Sequence, residues 1–121
     1  MAAVAKVMEA EPAIVAGDRA IDVEHLARMT LGERSLEREV LALFDRQADM
    51  LLPRIRRGDP ALAAASAHTL KGSAVGIGAF GVARAAEAVE RARDGSTAAA
   101  IDTLAAVLEE AKAEIARLLA N

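Results

Sequence analysis

The stretch Gly58-Asp59-Pro60-Ala61-Leu62-Ala63-Ala64-Ala65-Ser66-Ala67-His68-Thr69-Leu70-Lys71-Gly72-Ser73-Ala74-Val75-Gly76-Ile77-Gly78 decides the fold. It opens with a stop and a restart. Gly58 ends one helix, Asp59 caps the next, and Pro60 takes the first helical position, where its missing N–H is no loss. Ala and Leu dominate residues 61–70, and both favour helix. At 100° per residue, Leu62, Ser66, Thr69, Leu70, Ser73 and Ile77 share one arc, which predicts a helix over residues 60–77 with that arc on the core.

Working outward, glycines at 76, 78 and 81 break the pattern before a helix expected over residues 80–93. Asp94-Gly95-Ser96 repeats the stop-and-cap chemistry. A last helix then carries Ile101, Leu104, Leu108, Ala111, Ile115 and Leu118 at spacings of three and four. Toward the N-terminus, Ser35 is placed to N-cap a long helix whose stripe is Leu36, Val40, Leu43, Phe44, Leu51 and Ile55. Pro53 should kink that helix or remove one of its hydrogen bonds. Arg54, Arg56 and Arg57 crowd its last turn, where cations suit the helix dipole, and read as a solvated end or, less simply, as a contact for an acidic partner. A short helical segment over residues 22–29, closed by Gly32, reads as a lid with Leu26 and Met29 inward. Residues 1–20, broken by Pro12 and Gly17, read as an arm. The expectation is an all-α protein, with residues 21–121 forming an antiparallel up-and-down four-helix bundle with a short extra N-terminal helix.

Composition supports this and excludes much else. Apolar residues make up 54% of the 121, yet only two are aromatic, both Phe, so the core must be Leu, Ala, Val and Ile. Net charge is −3 with both signs interleaved, which leaves no basic footprint or stacking platform for nucleic acid. There is no cysteine, so thiol chemistry is excluded, and a reducing cytoplasm fits. Lys6, Glu9 and Glu11 interrupt any signal-peptide core, and no run approaches the ~20 apolar residues that span a bilayer. A soluble, cytoplasmic chain with no membrane partner is expected.

His68 breaks the pattern. A lone helical His is ordinarily a satisfied core residue, but on the wheel this one points almost directly away from the core arc. Lys71 and Gly72 lie one turn along, and Ala61, Ala64, Ala65 and Val75 complete the same face. Exposed helix faces are usually Glu, Lys and Gln, and a mid-helix Gly costs roughly 0.5–1 kcal/mol relative to Ala. The alanines could be helix filler, but Gly72 is not. Together these residues suit phosphoryl transfer. A neutral imidazole offers a lone pair to phosphorus, and the sequence leaves open which nitrogen provides it. Lys71 can neutralise the phosphoryl charge, and the small-residue face lets a partner's active site approach.

The segment from Ala67 to Ala79 resembles the signature of the histidine-containing phosphotransfer (HPt) domain of multistep phosphorelays. That pattern is His, Lys three on, Gly four on, Ser five on, and Gly-Ala ten and eleven on, met by His68, Lys71, Gly72, Ser73, Gly78 and Ala79. The Gly58-Asp59 turn and the Val89-Glu90 pair agree with it, while Gly76 stands where the family often has a polar residue such as Asn. The resemblance covers about residues 22–119. It implies a four-helix bundle, a phosphorylated His68, and receiver domains of response regulators and a hybrid histidine kinase as partners. The expected roles are His68 as phosphoacceptor, Lys71 stabilising the phosphoryl group, Ala61, Ala64, Ala65, Gly72 and Val75 docking the partner, and Ser73 and Gly78 structural. No cofactor or metal is expected on this monomeric chain, Mg2+ belonging to the partner receiver domain, and no nucleotide site means no kinase activity of its own.

Three other readings are weaker. Gly76-Ile77-Gly78-Ala79-Phe80-Gly81 spells a dinucleotide fingerprint, with Asp102 at a fitting distance, but a helix precedes it and no strand pattern exists. His25 could pair with His68 at a metal, yet no carboxylate set accompanies them. Ser73 has no acid placed for a triad, and should instead bond a helix carbonyl one turn back. A helical adaptor or dimerisation module with an incidental His68 is the alternative function. The dimeric phosphoacceptor domain of sensor kinases fits less well, because Thr69 stands where that domain usually has an acidic residue after its His.

Overall fold

The Asp59 carboxylate accepts hydrogen bonds from the backbone N–H groups of Ala61 and Leu62 at 3.0 and 3.3 Å, and this cap starts helix α3 (Pro60–Ile77). In the computed structural model the described residues are 19–121, so residues 1–18 of the expected arm lie outside them. The remaining helices are α1 (Val23–Met29), α2 (Arg34–Arg56), α4 (Phe80–Arg91) and α5 (Thr97–Ala120), with a 3-10 turn at Asp94–Ser96. Helices α2 to α5 each pack on their chain neighbours, and α2 closes the ring against α5, giving a four-helix bundle. The short α1 packs against α3. No strand occurs among the described residues.

The core is aliphatic, as the composition requires. Phe44, Ile55, Leu70, Leu104, Leu108 and Ile115 are fully buried, with Ala48, Ala67, Ala74 and Ala86 filling the narrow places between helices. Pro53 sits exposed inside α2 without ending it.

Several boundaries and faces differ from expectation. The buried arc of α3 is Ala63, Ser66, Ala67, Leu70, Ala74 and Ile77, with Thr69 exposed and Leu62 and Ser73 at the margin. At 100° per residue this is a rotation of roughly 60° toward α4. The reason is that α3 packs most extensively on α4, and alanines let the two backbones approach. Helix α2 starts at Arg34 with Glu33 as its N-cap, so Ser35 lies inside the first turn and caps nothing. The reversal at Leu31 and Gly32, both at positive φ, restarts the chain earlier than the Ser predicts. Leu36 and Leu43 are 39% and 56% exposed and Met29 is 58% exposed, whereas Leu26 is buried as expected. These three apolar residues line a groove with Thr30, Val40 and Ile77. Helix α4 ends at Arg91, two residues early, because Ala92 and Arg93 are extended and the Ser96 hydroxyl ties back to the Arg93 backbone.

Two features tie the helices together: one at the C-terminal end of α3 and one between the middles of α2 and α5. Gly78 caps α3 in the left-handed conformation, φ 81°, and its carbonyl accepts from the Asp22 N–H at 2.9 Å. A Cβ at Gly78 would stand 2.7 Å from the Asp22 carbonyl oxygen. On the far side, Lys112 of α5 donates to Asp45 and Asp49 of α2 at 2.6 and 2.7 Å. Burial alone would lower the Lys112 pKa, but the two carboxylates outweigh it and raise it above 10.5.

Chemical denaturation checks both features. Gly78→Ala should destabilise the domain by about 1–2 kcal/mol for the left-handed backbone alone, plus the clash with Asp22. Gly72→Ala, where a Cβ meets nothing within 4 Å, should instead stabilise it by about 0.5–1 kcal/mol. Lys112→Ala should cost about 1 kcal/mol, the upper end for a partly exposed pair. Because its folded pKa is raised, that contribution is complete below the unfolded value of 10.5 and fades as pH climbs through the folded one. The wild-type and Lys112→Ala stabilities should therefore converge only in strong alkali.

Candidate functional site

The rotation of α3 carries His68 toward α4 while leaving it outside the core. Its side chain is 73% exposed, and Nδ1 stands 2.9 Å from Oε2 of Glu90 on α4. A carboxylate oxygen accepts, so in the neutral imidazole Nδ1 is the nitrogen that carries the proton and donates, and Nε2 keeps its lone pair.

Lys71, one turn along, is half-buried at the α4 edge, with Nζ 3.9 Å from Glu87 Oε2. Arg91 Nη2 reaches the same carboxylate oxygen at 2.6 Å. Arg93 donates from Nη1 to the backbone carbonyls of Glu90 and Ala92 at 3.3 and 3.0 Å. His68, Lys71, Glu87, Glu90, Arg91 and Arg93 line one shallow cup of about 330 Å³. Three cations face two carboxylates there, so the cup favours an added anion.

Of the other residues singled out in the sequence, Ala61, Ala65, Gly72 and Val75 are exposed on the same face of α3 as His68. Ala64 is half-buried beside them. Gly72 has open space where a Cβ would be, as does Gly76. Gly78 is the buried helix cap described above. Ser73 lies at the opposite margin, in the groove with Met29 and Leu43, and does not make the expected bond to a carbonyl one turn back. Thr69 makes that bond instead, to Ala65 at 3.2 Å, because it points along the exposed side of the helix. His25 is engaged elsewhere: Nε2 lies 2.9 Å from the Val75 carbonyl and its ring meets the edge of Phe80 at 5.0 Å. Among the described residues no group of three or more His, Cys, Asp or Glu is placed to hold a metal ion.

Sequence reasoning misses the α4 half of the cup. Glu90 reads there only as half of an apolar-acidic pair, and Glu87, Arg91 and Arg93 do not stand out. Their one signal is spacing: 87, 90 and 91 fall on one face of a helix at i, i+3 and i+4. Nothing local says that this face borders His68, 22 residues from Glu90.

Known proteins agree with this geometry. The family profile of the Hpt domain matches residues 34–120. The crystal structure of the histidine phosphotransferase ShpA from Caulobacter crescentus superimposes with a TM-score of 0.67 at 30% sequence identity, over 81% of this chain and 88% of that one. No curated protein sequence matches the chain significantly. Among the described residues no helix is long and apolar enough to cross a membrane. The match over residues 34–120, the four-helix bundle and the likeness to a histidine phosphotransferase place this chain in the Hpt domain family, whose members pass phosphoryl groups through histidine to and from receiver domains in phosphorelays.

Proposed function

We propose that His68 is the phosphoacceptor of this phosphotransfer protein and that Nε2 is the attacking nitrogen. The observation that carries the reading is an exposed imidazole with its Nδ1 tied to Glu90. In the forward step the Nε2 lone pair forms a bond to phosphorus as the P–O bond to the receiver's aspartate breaks. The carboxylate leaves with that electron pair. Nδ1 keeps its proton, so the phosphorylated ring becomes cationic, and Glu90 offsets that charge. Return of the phosphoryl group to a second aspartate reverses each change, which suits a carrier.

Lys71 stabilises the phosphoryl oxygens as charge spreads over them. Ala61, Ala64, Ala65, Gly72 and Val75 form the surface that a receiver domain meets. Their small side chains keep the approach to Nε2 open, and the open space at Gly72 is the clearest instance. The chain works as a phosphocarrier without kinase activity of its own, as a monomer in the cytoplasm. Its partners are a hybrid histidine kinase and a response regulator.

His68→Gln should abolish acid-labile phosphorylation while changing stability by less than about 0.5 kcal/mol, as befits an exposed site. Persistence of acid-labile phosphate in that variant would assign the carrier role to another residue. Glu90→Ala should slow phosphoryl acceptance about fivefold, the worth of one net hydrogen bond of ~1 kcal/mol, and Glu90→Gln much less, since its amide oxygen still accepts from Nδ1. Lys71→Ala should also slow transfer without unfolding the domain. Equal single-turnover rates for all three variants and wild type would remove both residues from the mechanism.

Gly72→Gln separates docking from chemistry. It should fold, accept phosphate from phosphoramidate at close to the wild-type rate, and accept it far more slowly from a phosphorylated receiver domain. Equal rates from the receiver would show that this face is not the interface.

A further inference from the structure

We infer that Arg91 is a second phosphoryl-binding residue, held beside the cup by Glu87; the inference rests on His68 being the phosphoacceptor. The cations around His68 are not equivalent. The Arg93 guanidinium is bound to two backbone carbonyls at the end of α4, and the Glu90 carboxylate is occupied by the imidazole. Lys71 and Arg91 instead share one oxygen, Oε2 of Glu87, at 3.9 and 2.6 Å. A lysine has three donors and an arginine five, so each keeps donors free for another anion.

A phosphoryl group on Nε2 brings close to two negative charges and three acceptor oxygens to the same cup. Lys71 alone supplies one positive charge. Arg91 supplies the second, and its planar fork can take two phosphoryl oxygens at once, which a lysine cannot. Its side chain is 78% exposed, so nothing packed around it blocks its remaining donors from the phosphoryl oxygens. Glu87 is one helical turn before Arg91 and draws the guanidinium back toward the edge of α4 that borders Lys71. Glu87 is thus a positioning residue. It keeps both cations at the edge of the cup whether His68 is free or phosphorylated, so their remaining donors are in place for the phosphoryl oxygens. An ordinary surface pair between Glu87 and Arg91 would leave the phosphoryl group unaffected.

Phosphorus NMR of the full chain phosphorylated with phosphoramidate tests this. A cation beside the phosphoryl group lowers the pH at which it takes up its last proton. Arg91→Ala and Arg91→Gln should each raise that midpoint by about 0.3–0.7 pH unit, a two- to five-fold change of the size an exposed ion pair gives. Arg91→Lys should restore part of the shift, and Arg54→Ala, which removes an exposed charge from α2, should leave the midpoint in place. In a Glu87→Gln background the step from Arg91 to Ala should shrink, because an untethered guanidinium spends less time at the cup. An unshifted midpoint in Arg91→Ala and Arg91→Gln overturns the role of Arg91, and a full-sized step without Glu87 overturns the role of Glu87. If wild-type protein gains no acid-labile phosphate, the assignment of His68 falls, and the role of Arg91 with it.

Discussion

The close packing of α3 on α4 is the constraint on which the site depends. Ala63, Ala67 and Ala74 on one helix and Ala83 and Ala86 on the other are buried, and none carries a side chain that would hold the helices apart. That seam turns α3 so that His68 leans toward α4 while staying outside the core. It also brings Glu90 within 2.9 Å of the imidazole across 22 residues of chain. A larger residue anywhere along it would widen the gap and leave the ring without its partner.

The site resolves a conflict between order and access. The phosphoacceptor role proposed for His68 requires that another protein's active site reach it, yet an exposed side chain ordinarily samples several rotamers. Here one ring nitrogen is fixed by a carboxylate rooted in the bundle, and the other is left to solvent. Orientation thus comes from a single hydrogen bond at the edge of the ring nearest α4, not from enclosure. Gly72 sits one turn along with open space where a Cβ would stand, as the proposed docking face requires, at a cost in helix propensity.

The wheel of α3 places His68 and Gly72 outside the core even though its predicted arc lies some 60° from the buried one at 100° per residue. Both arcs leave His68 well away from their centres, so the error does not reach the site. It does misplace Thr69 and Ser73. The cause is that a wheel treats Leu and Ile as core and Ala as neutral, whereas a helix packed against an alanine-rich neighbour buries its alanines. The same bias sends Leu36, Leu43 and Met29 inward, although all three are exposed along the groove at Ser73 and Ile77.

Local chemistry was enough to determine the helices, the Gly58-Asp59-Pro60 and Gly78 boundaries, and an exposed histidine with its lysine one turn along. Each rests on residues within one or two turns of each other, where spacing along the chain is spacing in space. Only the tertiary structure decided which nitrogen of His68 is free, that Glu90 fixes it, and that Lys71 and Arg91 share Glu87. Those contacts depend on separate helices, and their geometry comes from how α3 rolls against α4. That roll is a property of the whole core, and no single segment encodes it.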